Sequence, residues 1–526
     1  RTLYTGRTIN ITYNGLTVTV NDGVKTVTTT YDAMKNTTSV TDPGGTINYK
    51  YYGNGNLKST SFNGVVVSIE RDGWGRKTKL IDPSAGTFKY RYNGFGEILE
   101  ERNPKGTTSY RYSPVGKILQ KTISGDNTDI SMLYHYHSQN KFLESISLTN
   151  ADGNNSLYKY TYDNTYSRLT SILEITPYAE FNKSYQYDTF GRVETEEYKA
   201  RLLSNNKAST KKIKNIYQNG DLKAIIDSNT NRRIWNLTGV NARGQVTESH
   251  YGNNSNKEVN TFNSYGYVTN KKVLKTASSQ ILMELTTDFN TERGTLNSRS
   301  NTMFSWSETF EYDNLDRLIT FNDNDGDNSQ AYDDFGRITS NNTVGDYNYS
   351  STSYQLANLD LNNQGDLYYQ QNQLQQIKFN AFKKPFEINE AGKEKIGFQY
   401  NAFNGRSNMF YGNTEEDIYD RNNRKHYSYD GSMEISYDKD EDSTLFVTYV
   451  GGDPYDAPAI WRSEQNNSGA LDEGYHYLHR DYLGSIMLIT DDSGDAKEKR
   501  HFDAWGKLVK LTDGNNNALD EFKILD

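Results

Sequence analysis

Hydrophobic and polar residues alternate along much of this chain with a period of two. Between Thr87 and Gln120 the pattern is clearest: Phe88, Tyr90 and Tyr92 are interleaved with Lys89 and Arg91, which predicts a strand with one aromatic and one charged face. Asn93-Gly-Phe-Gly96 then predicts a turn, because glycine adopts positive φ without steric cost and asparagine tolerates it. Ile98, Glu100 and Arg102 start a return strand, and Asn103-Pro-Lys-Gly106 turns the chain again before Tyr110 and Tyr112. The unit is a β-hairpin.

The unit recurs. Tyr51-Tyr-Gly-Asn-Gly55, Arg71-Asp-Gly-Trp-Gly75, Tyr92-Asn-Gly-Phe-Gly96 and Tyr112-Ser-Pro-Val-Gly116 place their last glycines roughly 20 residues apart, the range of fixed-period repeat architectures. Asp42-Pro-Gly-Gly and Asp82-Pro-Ser supply the same proline turn as Asn103-Pro. Earlier, Asn10 to Gly15 and Leu16 to Gly23 are alternating runs closed by Asn-Gly and Asp-Gly, a strong hairpin signal. Later units keep a Tyr-Asp-x-x-Gly-Arg form: Tyr187-Asp188-Thr-Phe-Gly191-Arg192 and Tyr332-Asp333-Asp-Phe-Gly336-Arg337 in full, Tyr312-Asp313-Asn-Leu-Asp-Arg317 with aspartate in the glycine place, and Tyr162-Asp163-Asn-Thr-Tyr-Ser-Arg168 with one extra residue. No sustained helical stripe competes. The lysine-rich stretch from Ser204 to Ile216 reads as a loop or charged strand pair, and the Asn/Gln-rich tract from Asn362 to Gln376 as an elaborated loop.

Composition narrows the class. Hydrophobic residues are only 34% of 526, yet aromatics reach 13% with 42 tyrosines, so the mean hydropathy of −0.87 does not signal disorder, which is poor in aromatics. Tyrosine offers large contact area with a polar tip, suiting a thin or wet sheet. The net charge of −9, with both signs interspersed, gives no basic patch for nucleic acid. Absence of cysteine excludes disulfides, thiolate catalysis and cysteine-based zinc sites. No apolar run has the length of a membrane-spanning helix. The sequence opens on Arg1, so any leader of the natural protein precedes it.

Candidate chemistry is sparse. His479-Arg480-Asp481 matches the start of a kinase catalytic loop, but Ile486 stands where that loop needs asparagine and no phosphate-binding glycine loop precedes it. Asp323, Asp325 and Asp327 alternate in a tight Asp/Asn/Gly turn and are candidate calcium ligands, although Asn328 occupies the position an EF-hand reserves for glycine; a solvated turn is the favoured reading. His135 and His137 share one face of a predicted strand without a third ligand, which favours a structural role over a metal pair. No nucleophile elbow occurs, and no catalytic residue is assigned.

The Tyr-Asp-x-x-Gly-Arg units resemble the YD repeats of Rhs proteins, a pattern shared with toxin-complex C components and teneurins. The segment Arg480-Asp481-Tyr-Leu483-Gly484-Ser485, then Gly494, then Phe502-Asp503-Ala-Trp-Gly506, is similar to that family's core-ending block, departing from it at Tyr482, Phe502 and Ala504-Trp505. The resemblance implies an all-β spiral of hairpins forming a large hollow shell, with residues 1–474 as repeat wall and 475–526 as a continuous core-ending segment. It implies that Tyr92, Gly96, Tyr112, Gly116 and the Tyr-Asp-Gly-Arg positions are structural. It further implies a non-enzymatic, exported bacterial protein, secreted or surface-displayed. Its partners would be its own C-terminal cargo, often a toxin, and a secretion machinery; the alternative is an adhesion module that binds a surface glycan or receptor. The family's self-cleavage motif would follow Asp526, so cleavage transfers to no residue here.

Overall fold

The computed structural model describes residues 7–370, 375–466, 468–469 and 471–525. Among the described residues, apart from one short helix and one 3₁₀ turn, the regular structure is β, in antiparallel sheets of 32 and 12 strands; the second runs from the strand Gln376–Phe379 to the strand Leu508–Asp513. Chain contacts define two compact units. One comprises Arg1–Tyr110, Thr287–Ser300 and Trp306–Leu374; the other comprises Arg111–Thr286, Asn301–Ser305 and Gln375–Asp526.

Within each sheet, strands pair with their neighbours in sequence, as the hairpin pattern predicts; the strands Leu356–Leu361 and Gln376–Phe379 belong to different sheets. Phe88, Tyr90 and Tyr92 of the strand Gly86–Tyr92 are half-buried while Lys89 and Arg91 are exposed. The pairing slips by one residue at the end of hairpin after hairpin, most often at the tyrosine position: Tyr92 pairs with Ile98, Tyr187 with Val193, Tyr332 with Ile338 and Tyr400 with Arg406 across such a bulge. A bulge adds local twist and re-aims a side chain. Here the re-aimed side chain is the tyrosine.

The first unit is thin. Up to Tyr110, Val65 is the one buried hydrophobic residue among those described. The second unit holds the dense cores, in which strands of the earlier sheet pack on the 12-stranded sheet: Phe181, Tyr198, Ile213 and Ile225 meet Met433, Ile435, Phe446 and Tyr477. Polar contacts stitch the same two layers, Asn154 to Tyr400, Glu174 to Tyr429 and Asp227 to Tyr475, over sequence separations of 246, 255 and 248 residues.

Two expectations change. The stretch from Ser204 to Ile216 is a loop only over residues 204–207 and is not a strand pair, because Ala208–Gln218 is one eleven-residue strand paired on both sides. Its charge hides an alternation in which Ser209, Lys211, Ile213 and Asn215 turn inward. Within the Asn/Gln-rich tract, Asn363–Gln370 is a helix. Asn362 caps it: its Oδ1 accepts the amides of Gln364 and Gly365 at 3.0 and 2.9 Å. Residues 371–374 of that tract lie outside the described residues. The strand Leu471–Arg480 crosses position 475, so the 12-stranded sheet runs unbroken through it to the strand Leu508–Asp513.

Candidate functional site

The Tyr-Asp-x-x-Gly-Arg positions form a repeated hydrogen-bonded cage at one end of each hairpin, here called the near turn. In the unit at Asp188 the aspartate N–H donates to the Arg192 carbonyl at 2.9 Å, and the Gly191 N–H returns to the Asp188 carbonyl at 3.0 Å. Asp188 Oδ1 accepts the amides of Phe190 and Arg192, and Oδ2 accepts Arg192 Nε at 2.7 Å. Although partial burial opposes it, these donors hold the Asp188 carboxyl below its usual value. The Nε contact recurs at Asp72–Arg76, Asp313–Arg317 and Asp333–Arg337 with distances of 2.7, 2.6 and 2.8 Å. Where glycine is missing, Asp316 takes positive φ itself, at 64°. In the lengthened unit, the Tyr166 amide and then Arg168 lower the Asp163 carboxyl to about 2.

Divergent units keep the cage by exchanging donor and acceptor. Asn93 Nδ2 donates to Glu97 Oε2 at 2.5 Å and Asn241 Nδ2 to Gln245 Oε1 at 2.9 Å, whereas Asn36 and Asn517 donate to Asp32 and Asp513. In these units the first and fifth turn positions carry complementary side chains, whereas at Asn401 and Asn263 the fifth residues, Gly405 and Tyr267, contribute their backbone amides.

The tyrosines link one hairpin to the previous one. Tyr92, Tyr187 and Tyr332 hydroxyls donate to the carbonyls of Lys77, Leu169 and Leu318 at 2.8, 2.6 and 2.8 Å. Tyr51, Tyr136, Tyr162, Tyr217, Tyr349 and Tyr400 do the same to Thr37, Ile118, Leu143, Val193, Ile338 and Pro385. Each acceptor is the first residue of the preceding return strand. Where Arg71 replaces tyrosine, its Nε reaches the equivalent carbonyl of Leu57 at 3.3 Å. The arginines link forward: Arg76, Arg192, Arg317 and Arg337 stand over the rings of Tyr92, Tyr217, Tyr332 and Tyr349 at 4.8, 4.3, 4.7 and 4.3 Å. Arg76 and Arg317 Nη1 also donate to the carbonyls of Asn93 and Asp333, each at 3.0 Å. Tyr112 and Tyr312 end their strands in the same place, and Gly116 closes its turn on the Ser113 carbonyl at 3.0 Å.

The core-ending block is made of the same turns. Asp481 Oδ1 accepts the amides of Leu483 and Ser485, both at 2.9 Å, and the Gly484 N–H returns to the Asp481 carbonyl. Gly494 and Gly506 close identical turns on Asp491 and Asp503. Arg480 differs: it stands at the tyrosine position and its guanidinium donates to the carbonyls of Ala457 and Pro454 at 2.7 and 3.2 Å.

Several buried ionic groups of the second unit carry no sequence signal. Asp227 accepts Lys211 Nζ and the Tyr475 hydroxyl, each at 2.6 Å, and against its burial these partners hold it at about 2. Glu258 is held at about 2 in the same way, mainly by Lys271 at 2.8 Å, with His479 Nδ1 at 3.8 Å. Burial keeps His479 below the usual histidine range despite that carboxylate. Among the described residues Glu174 has no cation: burial pushes it up to about 8, against the pull of the Tyr429 amide at 2.7 Å. Glu498 pairs with Arg500 and accepts the amides of Lys523 and Ile524 at 2.8 and 3.2 Å, while Arg500 Nη2 donates to the Leu525 carbonyl at 3.1 Å, clasping the segment Phe522–Leu525. Lysine, arginine and glutamate are common surface residues, so only tertiary placement reveals these pairs.

Of the metal candidates, Asp323 spends its Oδ1 on the amides of Asp325 and Gly326 at 2.8 and 3.1 Å, and Asp327 lies on the following strand opposite Asn322. His135 and His137 do not share a strand face, since the strand Thr128–Tyr136 ends before His137. His137 occupies the first turn position and its Nδ1 accepts the amides of Gln139 and Asn140 at 3.3 and 3.4 Å. Among the described residues no group of three or more His, Asp or Glu side chains is placed to hold a metal ion.

Neither a scan against protein-family models nor a search of curated proteins finds a match. Solved structures do match. A chain of the Photorhabdus luminescens Tc holotoxin pore superposes with a TM-score of 0.63 at 13% identity, over 97% of this chain and 30% of that one. The TcdB2–TccC3 complex gives 0.61 at 13%, and the same complex without its hypervariable C-terminal region gives 0.63 at 14%, with the same coverage. The chain thus spans less than a third of the length of these neighbours, and at such identity the likeness is one of fold: a large, shell-like β-hairpin fold of the kind found in these Tc-toxin chains.

Proposed function

We propose that this chain is a non-enzymatic wall segment of an Rhs/YD-repeat shell that encloses, protects and delivers a C-terminal domain, often a toxin, of an exported bacterial protein. The observation that carries the reading is the match over 97% of the chain to a TcdB2–TccC3 complex that lacks its hypervariable C-terminal region. That match does not need the hypervariable region, which this neighbour lacks. The tyrosine and arginine links form a ladder that suits the role: it ties hairpin to hairpin through hydroxyl and guanidinium contacts to backbone, and long paired sheets leave few strand edges open. The cargo and the secretion machinery are then the partners.

A second reading, an adhesion module for a surface glycan or receptor, is favoured by the exposed rings of Phe190 and Tyr455, 83% and 85% accessible. Limited proteolysis of the full-length protein separates the two. Carriage predicts a C-terminal domain that resists protease until the shell is opened by denaturant. Equal cleavage of shell-borne and free cargo contradicts it, and retention on a glycan array then favours adhesion.

A further inference from the structure

We infer that the cleft over Gly474, between the strands Ala459–Gln465 and Leu471–Arg480, is a binding site for a hexuronate, a sugar that carries several hydroxyls and one carboxylate. The cleft measures about 460 Å³, within the range of small-ligand sites. Strand register explains how it forms. Arg462 pairs with Gly474, Ile460 with His476 and Glu464 with Asp472. Positions 472, 474 and 476 share one face of the strand, so the missing side chain of Gly474 leaves a gap between Asp472 and His476. A β-carbon on Gly474 would meet nothing within 4 Å, so no neighbour fills the gap. Asp491, Lys497 and Ile524 also line the cleft.

The lining mixes both signs of charge, but its polar groups are unequally used. Glu464 accepts Arg462 Nη2 at 2.6 Å, and Asp491 Oδ1 accepts the amides of Ser493 and Asp495, both at 2.9 Å. The donors are less occupied. Among the described residues, Arg462 Nε and His476 Nδ1 are enclosed and have no hydrogen-bond partner, and such atoms in a native protein are met by water, an ion or a ligand. Burial, helped by Arg462 and Lys497, holds His476 below the usual histidine range, so its ring is neutral at pH 7 and can donate from Nδ1. Arg462, His476 and the exposed Lys497 thus offer hydrogen-bond donors to an acceptor in the cleft. An inorganic dianion is disfavoured there by Glu464, Asp472 and Asp491, and a neutral sugar leaves the Lys497 charge unmatched. A hexuronate meets both conditions. Its carboxylate suits Arg462 and Lys497, and its hydroxyls can donate to the carboxylate oxygens of Asp472 and Asp491. The site lies apart from the hairpin cages, and the inference does not depend on the shell reading.

Isothermal titration of the protein with glucuronate and galacturonate tests this, with glucose and acetate as the two halves of the ligand. At least one hexuronate is expected to bind with a Kd of about 1 mM or below, and at least about tenfold more tightly than glucose or acetate. A galacturonate trimer separates two sources of the same chemistry: a site for a chain end binds it as well as the monomer, and a site for a free sugar acid excludes it. Gly474 lies outside the left-handed region, so Gly474→Val places a side chain in the gap without backbone strain. This variant should lose hexuronate binding while its melting temperature stays unchanged or rises, because valine suits a strand better than glycine. Lys497→Gln should weaken binding by about tenfold. A cleft that binds neither hexuronate holds water alone, and the proposal is overturned. It is overturned equally by glucose or acetate binding as tightly as the hexuronates, or by a Gly474→Val protein that binds like wild type.

Discussion

Arg317 stands over the ring of Tyr332 at 4.7 Å, while its Nε binds Asp313 of its own turn and its Nη1 binds the Asp333 carbonyl of the next. One side chain thus closes a turn and fixes the distance to the neighbouring hairpin. Lysine keeps the charge but loses both the planar fork and the stack. Arg317→Lys is expected to destabilise the hairpins around it by about 2–4 kcal/mol, the sum of one charged hydrogen bond and one exposed cation–π contact. Hydrogen exchange should show faster amide opening in the strands Leu318–Asp323 and Gly326–Tyr332; exchange unchanged from wild type contradicts the linking role.

The tyrosine hydroxyl is testable without disturbing the ring. Tyr187→Phe removes the donor to the Leu169 carbonyl and leaves the packing intact. The expected cost is about 1 kcal/mol in urea unfolding. A neutral result means that water replaces the hydroxyl and that the ladder contributes little there.

Gly96 has φ +89°, and a β-carbon added to it would meet nothing within 4 Å, so substitution there meets backbone strain and no steric wall. Gly96→Val should cost about 1–2 kcal/mol, while Gly96→Asn, which tolerates the left-handed region better, should cost less. Equal stability of all three proteins contradicts the turn assignment.

Glu174 gives a pH signature. Burial raises its folded pKa to about 8 from the 4.5 of an exposed glutamate, so the unfolded chain releases this proton first as pH rises. Its contribution to stability is therefore full below about pH 4.5, falls as pH increases through the window up to about 8, and is flat beyond, a change of at most roughly 4–5 kcal/mol. Denaturant titrations at pH 5, 7 and 9 should show Glu174→Gln gaining stability relative to wild type as pH rises. A difference independent of pH contradicts the buried protonated state.

The hairpins and their near turns are legible in the sequence because they are local: alternation, Asx and glycine all act within about seven residues of one another. The partner of each tyrosine is harder to read, because it is a backbone carbonyl, which any residue supplies. The exchange at Asn93–Glu97 is readable only once the Asp188–Arg192 cage is known. The charged strand Ala208–Gln218 escapes a reading by pattern because Lys211 is buried against Asp227, a partner whose own burial depends on the distant Tyr475. His137 reads as a strand residue because histidine can fill the Asx position of a turn, a use its residue type does not announce.

Electron microscopy of the full-length protein tests the central claim most directly. The account predicts a hollow, β-walled particle with separate density for the C-terminal domain inside it. A compact particle without an interior, or a C-terminal domain held outside the wall, contradicts it.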